Sequence, residues 1–357
     1  MNNITINKLP VPTWTWLRVN EKNIEIPTNT VRAEITESEI PAEVKAGAVD
    51  FTSIALGDIE LGAGEDFRKF SHAAKTGGDS YTVGAGVKVA EPIRLTYDYN
   101  AKSAENGSAD EESCSLSRVA VVLGEEAELT MIITYKGNPG YAANDIRIKV
   151  AKNARLNLVE IFQLDDSATF IDSIGGRYME KGGLKLIQLT TGSANIGLAC
   201  SADLDGYKSW LDIDTGYLVE KEGNLDINYV ARHKGRKTDS KISVSGVLRD
   251  NASKVFRGTI DFIKGCKDAT GDEREDVLLM NEGVKNSTVP LILCAEEDVE
   301  GAHGASIGKI SDEILFYLQA RGIPENEINE LMAKSRIDAV AGRIPDQKTK
   351  ELLLSEE

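Results

Sequence analysis

The sequence is poor in the residues that most enzymatic chemistry needs. It has three histidines and four cysteines in 357 residues, and aromatics make up only 6%. The cysteines (Cys114, Cys200, Cys266 and Cys294) lie far apart with no CxxC pair, which excludes a disulfide-stapled small fold and a zinc ribbon. No run of eighteen or more apolar residues occurs, so no membrane-spanning helix is expected. The opening MNNITINKLP has neither a basic segment nor an apolar one behind it, so no signal peptide is expected and a reducing cytoplasm is the expected compartment. The Asn-x-Ser/Thr triplets at Asn106, Asn251 and Asn286 then read as chance matches. Positive charge is also scarce: 41 Lys+Arg stand against 57 Asp+Glu, a net −16, which argues against nucleic acid or an anionic membrane as partner.

What is abundant is glycine, 32 residues, beside 41% hydrophobic residues, a mixture that favours short strands joined by tight turns. Residues 1–80 are mixed: Trp14, Trp16 and Leu17 suggest an extended segment, and Asp66–Ala74 a weak helix. Val83–Val87 and Val89–Leu95 read as short strands, Gly84-Ala-Gly86 as a turn, and 101–112 as a polar, acidic loop. From about 115 to 295, β-type segments recur. Leu123-Gly-Glu-Glu-Ala127-Glu-Leu129-Thr-Met131 resembles Val150-Ala-Lys-Asn-Ala154-Arg-Leu156-Asn-Leu158 at an offset of 27 residues, with a looser echo at Leu248-Arg-Asp-Asn-Ala252. Each unit has a polar turn, an alanine, then apolar residues at period two. Strand-only repeats of this length point to a solenoid whose coils bury one another; a β-sandwich is the structural competitor.

The tail is helical. Ser311 is an N-cap with Asp312 and Glu313 behind it, Ile314, Leu315 and Leu318 form a stripe, and Gly322 and Pro324 end the helix. A second helix carries Ile328, Leu331 and Met332, a third Ile337 and Val340, and a last one follows Pro345.

Few motifs promise chemistry. Gly304-Ala-Ser-Ile-Gly308-Lys309 fails as a phosphate loop, because its glycines are too close and Ile310 stands where a hydroxyl must reach magnesium. His72 and His233 read as surface residues, Cys200 as a buried inert thiol, and Cys266 as a more accessible one. His303 lies near Cys294, Glu296, Asp298 and Glu300, residue types that bind metals, although no spacing is diagnostic and such carboxylates more often form a solvated edge.

Ordered motifs carry more. Val255-Phe256-Arg257-Gly258-Thr-Ile260, His303-Gly304-Ala305-Ser306-Ile307-Gly308 and Phe316-Tyr317-Leu318 with Arg321-Gly322-Ile323 occur in one order, with Val87-x-x-x-Glu91-Pro92-Ile93 upstream. This resembles the SufB/SufD family of iron–sulfur cluster assembly proteins, with its FRG-x-I, HGAT-x-G-like and FYL-x-SRGI-like segments. The likeness is strong over 230–325 and thinner over 81–230. It implies a mainly β fold, a right-handed parallel β-helix at 81–308, between an N-terminal region (1–80) and a small C-terminal helical domain (309–357). It implies a non-catalytic scaffold that docks a SufC-type ATPase on the C-terminal helices and pairs its β-helix core with a SufB-type subunit or with itself. No cofactor would be bound permanently, though iron or an Fe–S cluster could be held transiently in the complex.

Within the resemblance, the SufB-like cysteine position holds Asp272, and the SufB-like His-Glu is His303-Gly304 here; both departures favour SufD. His303 then maps to the histidine that SufD contributes near the subunit interface, a candidate metal ligand. The cysteine often found two residues earlier is Gly301. Phe316, Tyr317 and Arg321 are candidates for ATPase docking, with Leu318 expected in the core. A SufB-like or homodimeric scaffold is the near alternative. A polysaccharide-active β-helix enzyme, suggested by the solenoid alone, is the distant one.

Overall fold

The computed structural model describes residues 1–13, 15–51, 54–74, 76–100 and 113–355. Its centre is a β-solenoid of about seven turns. The chain enters through β1 (Asn2–Ile6), β2 (Lys22–Ile26), β3 (Asn29–Arg32), β4 (Glu37–Glu39) and β5 (Val44–Val49), then α1 (Ile54–Gly57) and α2 (Glu65–Ala73). β6 (Gly78–Val83) and β7 (Ile93–Asp98) begin the coils. From there two strands make each coil: β8 (Ser113–Leu123) and β9 (Glu128–Gly137), β10 (Tyr141–Val150) and β11 (Arg155–Leu164), β12 (Thr169–Tyr178) and β13 (Gly183–Gly192). β14 (Asn195–Leu204) and β15 (Trp210–Val219), β16 (Asn224–His233) and β17 (Asp239–Leu248), β18 (Ser253–Phe262) and β19 (Ala269–Leu279), β20 (Lys285–Cys294) and β21 (Val299–Gly308) complete them. Helices α3 (Asp312–Gln319), α4 (Glu325–Ala341) and α5 (Gln347–Ser355) follow.

Even-numbered strands from β6 to β20 form one sheet and odd-numbered strands from β7 to β21 the other, every coil pairing in parallel with the next. Parallel coil-on-coil pairing excludes the sandwich. The offset read in the sequence is the ladder itself: Leu129 pairs with Leu156, and Met131 with Leu158. Alternation sends one face of each strand inward, so Ile133, Leu158, Leu186, Ile213, Ile227 and Phe256 fill a single dry core. Stacking puts like beside like: Tyr97, Tyr135 and Phe162 occupy one column, with ring centroids 5.3 and 5.2 Å apart.

The outer faces are covered too. The β1–β2 hairpin and α2 lie on the even sheet, burying Ile6, Leu61 and Phe67 against Leu116, Ala143 and Ala199. The approach is close: a Cβ on Gly62 would lie 2.4 Å from the backbone of Ala199 and Cys200. Outward charges trapped beneath this cover are paired, Arg147 with Asp145 (2.8 Å) and Arg257 with Asp226 (2.6 Å). Helix α4 rests on the odd sheet through Val340, Ala341 and Ala333.

Several expectations need correction. The strands expected at Val83–Val87 and Val89–Leu95 are Gly78–Val83 and Ile93–Asp98, because Gly84–Val87 forms the turn between coils. Near Trp16 the chain makes a short 3-10 turn over Thr15–Leu17 and leaves Trp16 74% exposed; Trp14 lies outside the described residues. The loop expected at 101–112 also lies outside them. The helix expected at Asp66–Ala74 is α2, and Ser311 caps α3 by accepting the Ile314 N–H (3.3 Å). The second and third expected tail helices are one, since nothing between Glu325 and Ala341 breaks the backbone ladder. Leu318 is only half-buried, because α3 buries no residue.

Candidate functional site

The solenoid's two ends differ. At the start, antiparallel β5 and β4 close the two sheets over β6 and β7. At the finish β20 and β21 are the last strands of their sheets and nothing among the described residues pairs with their outer edges. Their inward pleat positions are therefore uncovered: Ile292 and Ile307 are 36% and 48% exposed. Unpaired N–H and C=O groups beside exposed apolar residues are what a further strand or subunit would satisfy.

His303 stands on this edge, in β21, exposed. It tops a column running Met131, Leu158, Leu186, Ile213, Ile242, Glu273, His303 through successive coils. Five apolar levels give way to a carboxyl and an imidazole in the last two. Glu273 is 3% exposed, and its Oε2 has no hydrogen-bond partner among the described residues. Burial, reinforced by the charge of Glu275, pushes its carboxyl up to about 8. The next inward position on β19, Glu275, accepts a hydrogen bond from the buried Lys254 ammonium and another from the Thr288 hydroxyl. Burial lowers the Lys254 pKa, against the pull of Glu275. The end of the core thus carries four ionisable groups, two of them, Glu273 and His303, in a column that is otherwise hydrocarbon.

The other expected residues fall as follows. Asp272 points outward on β19 and pairs with Arg274 (2.9 Å), so no thiol stands there. Gly301 pairs with Gly271 across the ladder; a Cβ on it would come within 3.0 Å of the Phe262 ring. Cys294 is exposed, whereas Cys266 is fully buried beside Phe262 and Ile260, against the expectation of access. Cys200 is buried as expected, its thiol driven up by burial. His233, expected at the surface, is fully buried: it occupies an inward pleat position, its ring nitrogens 2.7 Å from Thr238 Oγ1 and 2.8 Å from Ser240 Oγ. Burial pulls it down to about 4, so it is a neutral core residue. His72 is half-buried. The Gly304–Gly308 stretch is strand and no loop before a helix, so it forms no phosphate cradle. Among the described residues, no three His, Cys, Asp or Glu converge to hold a metal.

On the C-terminal side, Phe316 and Tyr317 are 72% and 54% exposed on α3, and the Arg321 guanidinium lies over the Tyr317 ring at 4.3 Å. The three expected docking residues are therefore exposed on or just beyond α3, with Tyr317 and Arg321 in contact.

Sequence reading missed a polar chain inside the core. Gln188 Nε2 donates to Glu160 Oε2 and to Asp172 Oδ2, both at 2.8 Å. Tyr229 donates to Gln188 Oε1 (2.5 Å), and Asn144 to Asp172 Oδ1 (3.3 Å). Burial raises both carboxyl pKa values. The signal available in the sequence was a glutamate at the third apolar-phase position of Leu156-Asn-Leu158-Val-Glu160, a polar residue on an inward phase.

Fold and site together define a parallel β-solenoid protein with covered flanks and an open, polar-lined last coil. The model of the SUF system FeS cluster assembly SufBD core domain matches residues 105–336, more than half of the chain. This chain belongs to that family. It is 25% identical over 292 residues to the iron-sulfur cluster assembly protein SufD of Bacillus subtilis (strain 168), a match covering 80% of this chain and 64% of that protein. The chain thus spans a little under two thirds of that relative. It is 23% identical over 344 residues to an iron-sulfur cluster assembly SufBD family protein of Mycobacterium tuberculosis (strain ATCC 25618 / H37Rv), covering 91% of this chain and 81% of the relative. A SufBD family protein of Mycobacterium leprae (strain TN) is 22% identical over 285 residues. Among the described residues, no helix is long and apolar enough to cross a membrane.

Proposed function

We propose that this chain is a SufD-like scaffold subunit of an iron–sulfur cluster assembly complex in the cytoplasm, itself performing no catalytic step. The observation that carries the reading is the open last coil, where exposed His303 sits in register over buried Glu273. One imidazole and one carboxyl are too few to hold an iron ion or a cluster alone. They make a half-site that a SufB-type subunit, set against the edges of β20 and β21, would complete with a thiolate this chain lacks at Asp272. Iron or the cluster is then cargo held at the junction. A SufC-type ATPase docks on the patch of Phe316, Tyr317 and Arg321.

The homodimeric alternative uses the same edge, since two copies could pair β21 to β21, but both would bring His303 and neither a thiolate at Asp272. Family membership removes the motive for the polysaccharide-enzyme reading.

The test is co-expression with a SufB-type and a SufC-type protein from the same organism, affinity purification through this chain, and anaerobic cluster reconstitution. Recovery of a three-component complex that forms a cluster supports the proposal. A stable cluster on this chain alone, or recovery only as a homodimer in the presence of both partners, overturns it.

A further inference from the structure

Six successive coils, from β8–β9 to β18–β19, turn from the even to the odd sheet through the same corner, and the corner residue is left-handed in each. Glu126, Asn153, Lys181, Lys208, Lys237 and Asp268 all have φ between 53° and 60°. Each donates its N–H to the following coil, Lys181 to Tyr207 O (2.8 Å), Lys208 to Arg236 O (3.0 Å) and Lys237 to Lys267 O (2.9 Å). This backbone ladder does not call for lysine. Glycine or asparagine reaches the left-handed region with less strain, and three successive lysines set like charges one strand spacing apart, about 4.8 Å at the backbone. The row is unfavourable for the fold on both counts.

The three lysines are exposed, and the acidic groups around them are engaged elsewhere. Glu180 pairs with Lys152, Asp205 with Arg177 and Lys234, and Asp268 with Arg236. Beside the corner, on the odd sheet, lies a groove of about 420 Å³ whose lining includes the cations Arg155, Lys185 and Lys241, the acids Asp212 and Asp239, and Trp210. Arg155 stacks over Trp210 at 5.3 Å, Lys185 pairs with both Asp212 (2.9 Å) and Asp214, and Asp239 accepts from the Thr270 hydroxyl (2.5 Å), so the groove's own cations are matched by acids. Met179 and Tyr207, 39% and 42% exposed, flank the row. On a protein of net charge −16 the lysine row therefore stands as a basic ridge, beside a groove whose cations and acids balance and whose floor is aromatic.

We propose that this corner and groove dock an acidic segment of a partner protein, on a face separate from the open end and from the C-terminal helices. Three coils span about 10 Å, the reach of three or four extended residues, which suits a short acidic segment and is too short for nucleic-acid tracking. Trp210, Tyr207 and Met179 supply the apolar and aromatic contact that protein interfaces use.

The experiment uses the full-length protein and a fluorescent poly-glutamate oligopeptide, read by anisotropy at low and at physiological salt. Binding is expected to weaken with salt. The variant K181G/K208G/K237G should bind about tenfold more weakly and unfold at a higher denaturant concentration, since glycine relieves the left-handed strain. A control, K8A/K45A/K69A, should stay within about twofold of the parent affinity. Absence of peptide binding, unchanged affinity in the glycine variant, an equal loss in the control, or tighter binding of a short DNA duplex than of the peptide would each overturn the proposal.

Discussion

Glu273 and His303 are register partners on the last two strands of the odd sheet, one almost wholly buried and the other at the exposed edge. The pairing divides stability from function at a single column. His303→Ala removes nothing from the core and should leave unfolding free energy within about 0.5 kcal/mol of the parent. Cluster yield in the complex with its partners should fall. Equal yields, measured by visible absorption after anaerobic reconstitution, would reduce His303 to a surface residue.

Glu273 gives stability a pH dependence of definite sign. Its folded pKa, about 8, lies above the ordinary carboxyl value of 4.5, so the native state binds the extra proton. Its contribution is most favourable below the ordinary value and is lost progressively as pH rises to about 8. Glu273→Gln, which cannot ionise, should match the parent near pH 4 and exceed it at pH 9, by roughly 2–4 kcal/mol. Urea unfolding at the two pH values decides the matter, and an equal difference at both would refute the assignment.

Gln188 holds two buried carboxyls with one amide. Gln188→Leu leaves Glu160 and Asp172 without that donor and Tyr229 without its acceptor. The expected loss is about 3 kcal/mol. It should be larger at pH 8 than at pH 5, because unpaired carboxyls are costlier when ionised. A mutation that is silent at both would mean the interior tolerates the charges.

The N-terminal cover is locked by the Arg257 guanidinium, which reaches Asp226 Oδ1 (2.6 Å) and Val19 O (2.5 Å). Arg257→Met takes the ion-pair partner from the buried Asp226 carboxylate, which keeps the Asn7 amide as a hydrogen-bond donor (2.7 Å), and should cost about 3 kcal/mol. Gly62→Ala, blocked by backbone at 2.4 Å, should lift the same segment. Faster proteolysis within the first 75 residues, with the coils still protected, is the expected pattern in both variants.

Phe316 and Tyr317 contribute little to the fold, so the double alanine variant should unfold like the parent. It should capture less of a SufC-type ATPase in a pull-down. Full capture would move the docking surface off α3.

Period-two alternation with a 27-residue echo was enough to identify a solenoid, because each coil must present the same inward phase to the coil above. The echo fades toward the C-terminus since the turns lengthen, Ala269 pairing with Val299 and Ser253 with Lys285. His303 and the α3 patch were legible as motifs. The glutamate beneath His303 was not, because Glu273 and His303 are brought together by a ladder that no local pattern fixes. His233 was misread for the same reason: its polar neighbours suggested solvent, while its pleat position turned it inward, against Phe262.

The sequence alone therefore determined the repeat, the helical tail, the family resemblance and the missing thiol at Asp272, all of which reside in local pattern and residue identity. Only the tertiary structure decided which polar groups are buried together, which end of the solenoid stays open and which corner carries the lysine row. Those properties depend on register between strands about thirty residues apart, and register follows from the summed packing of the whole core.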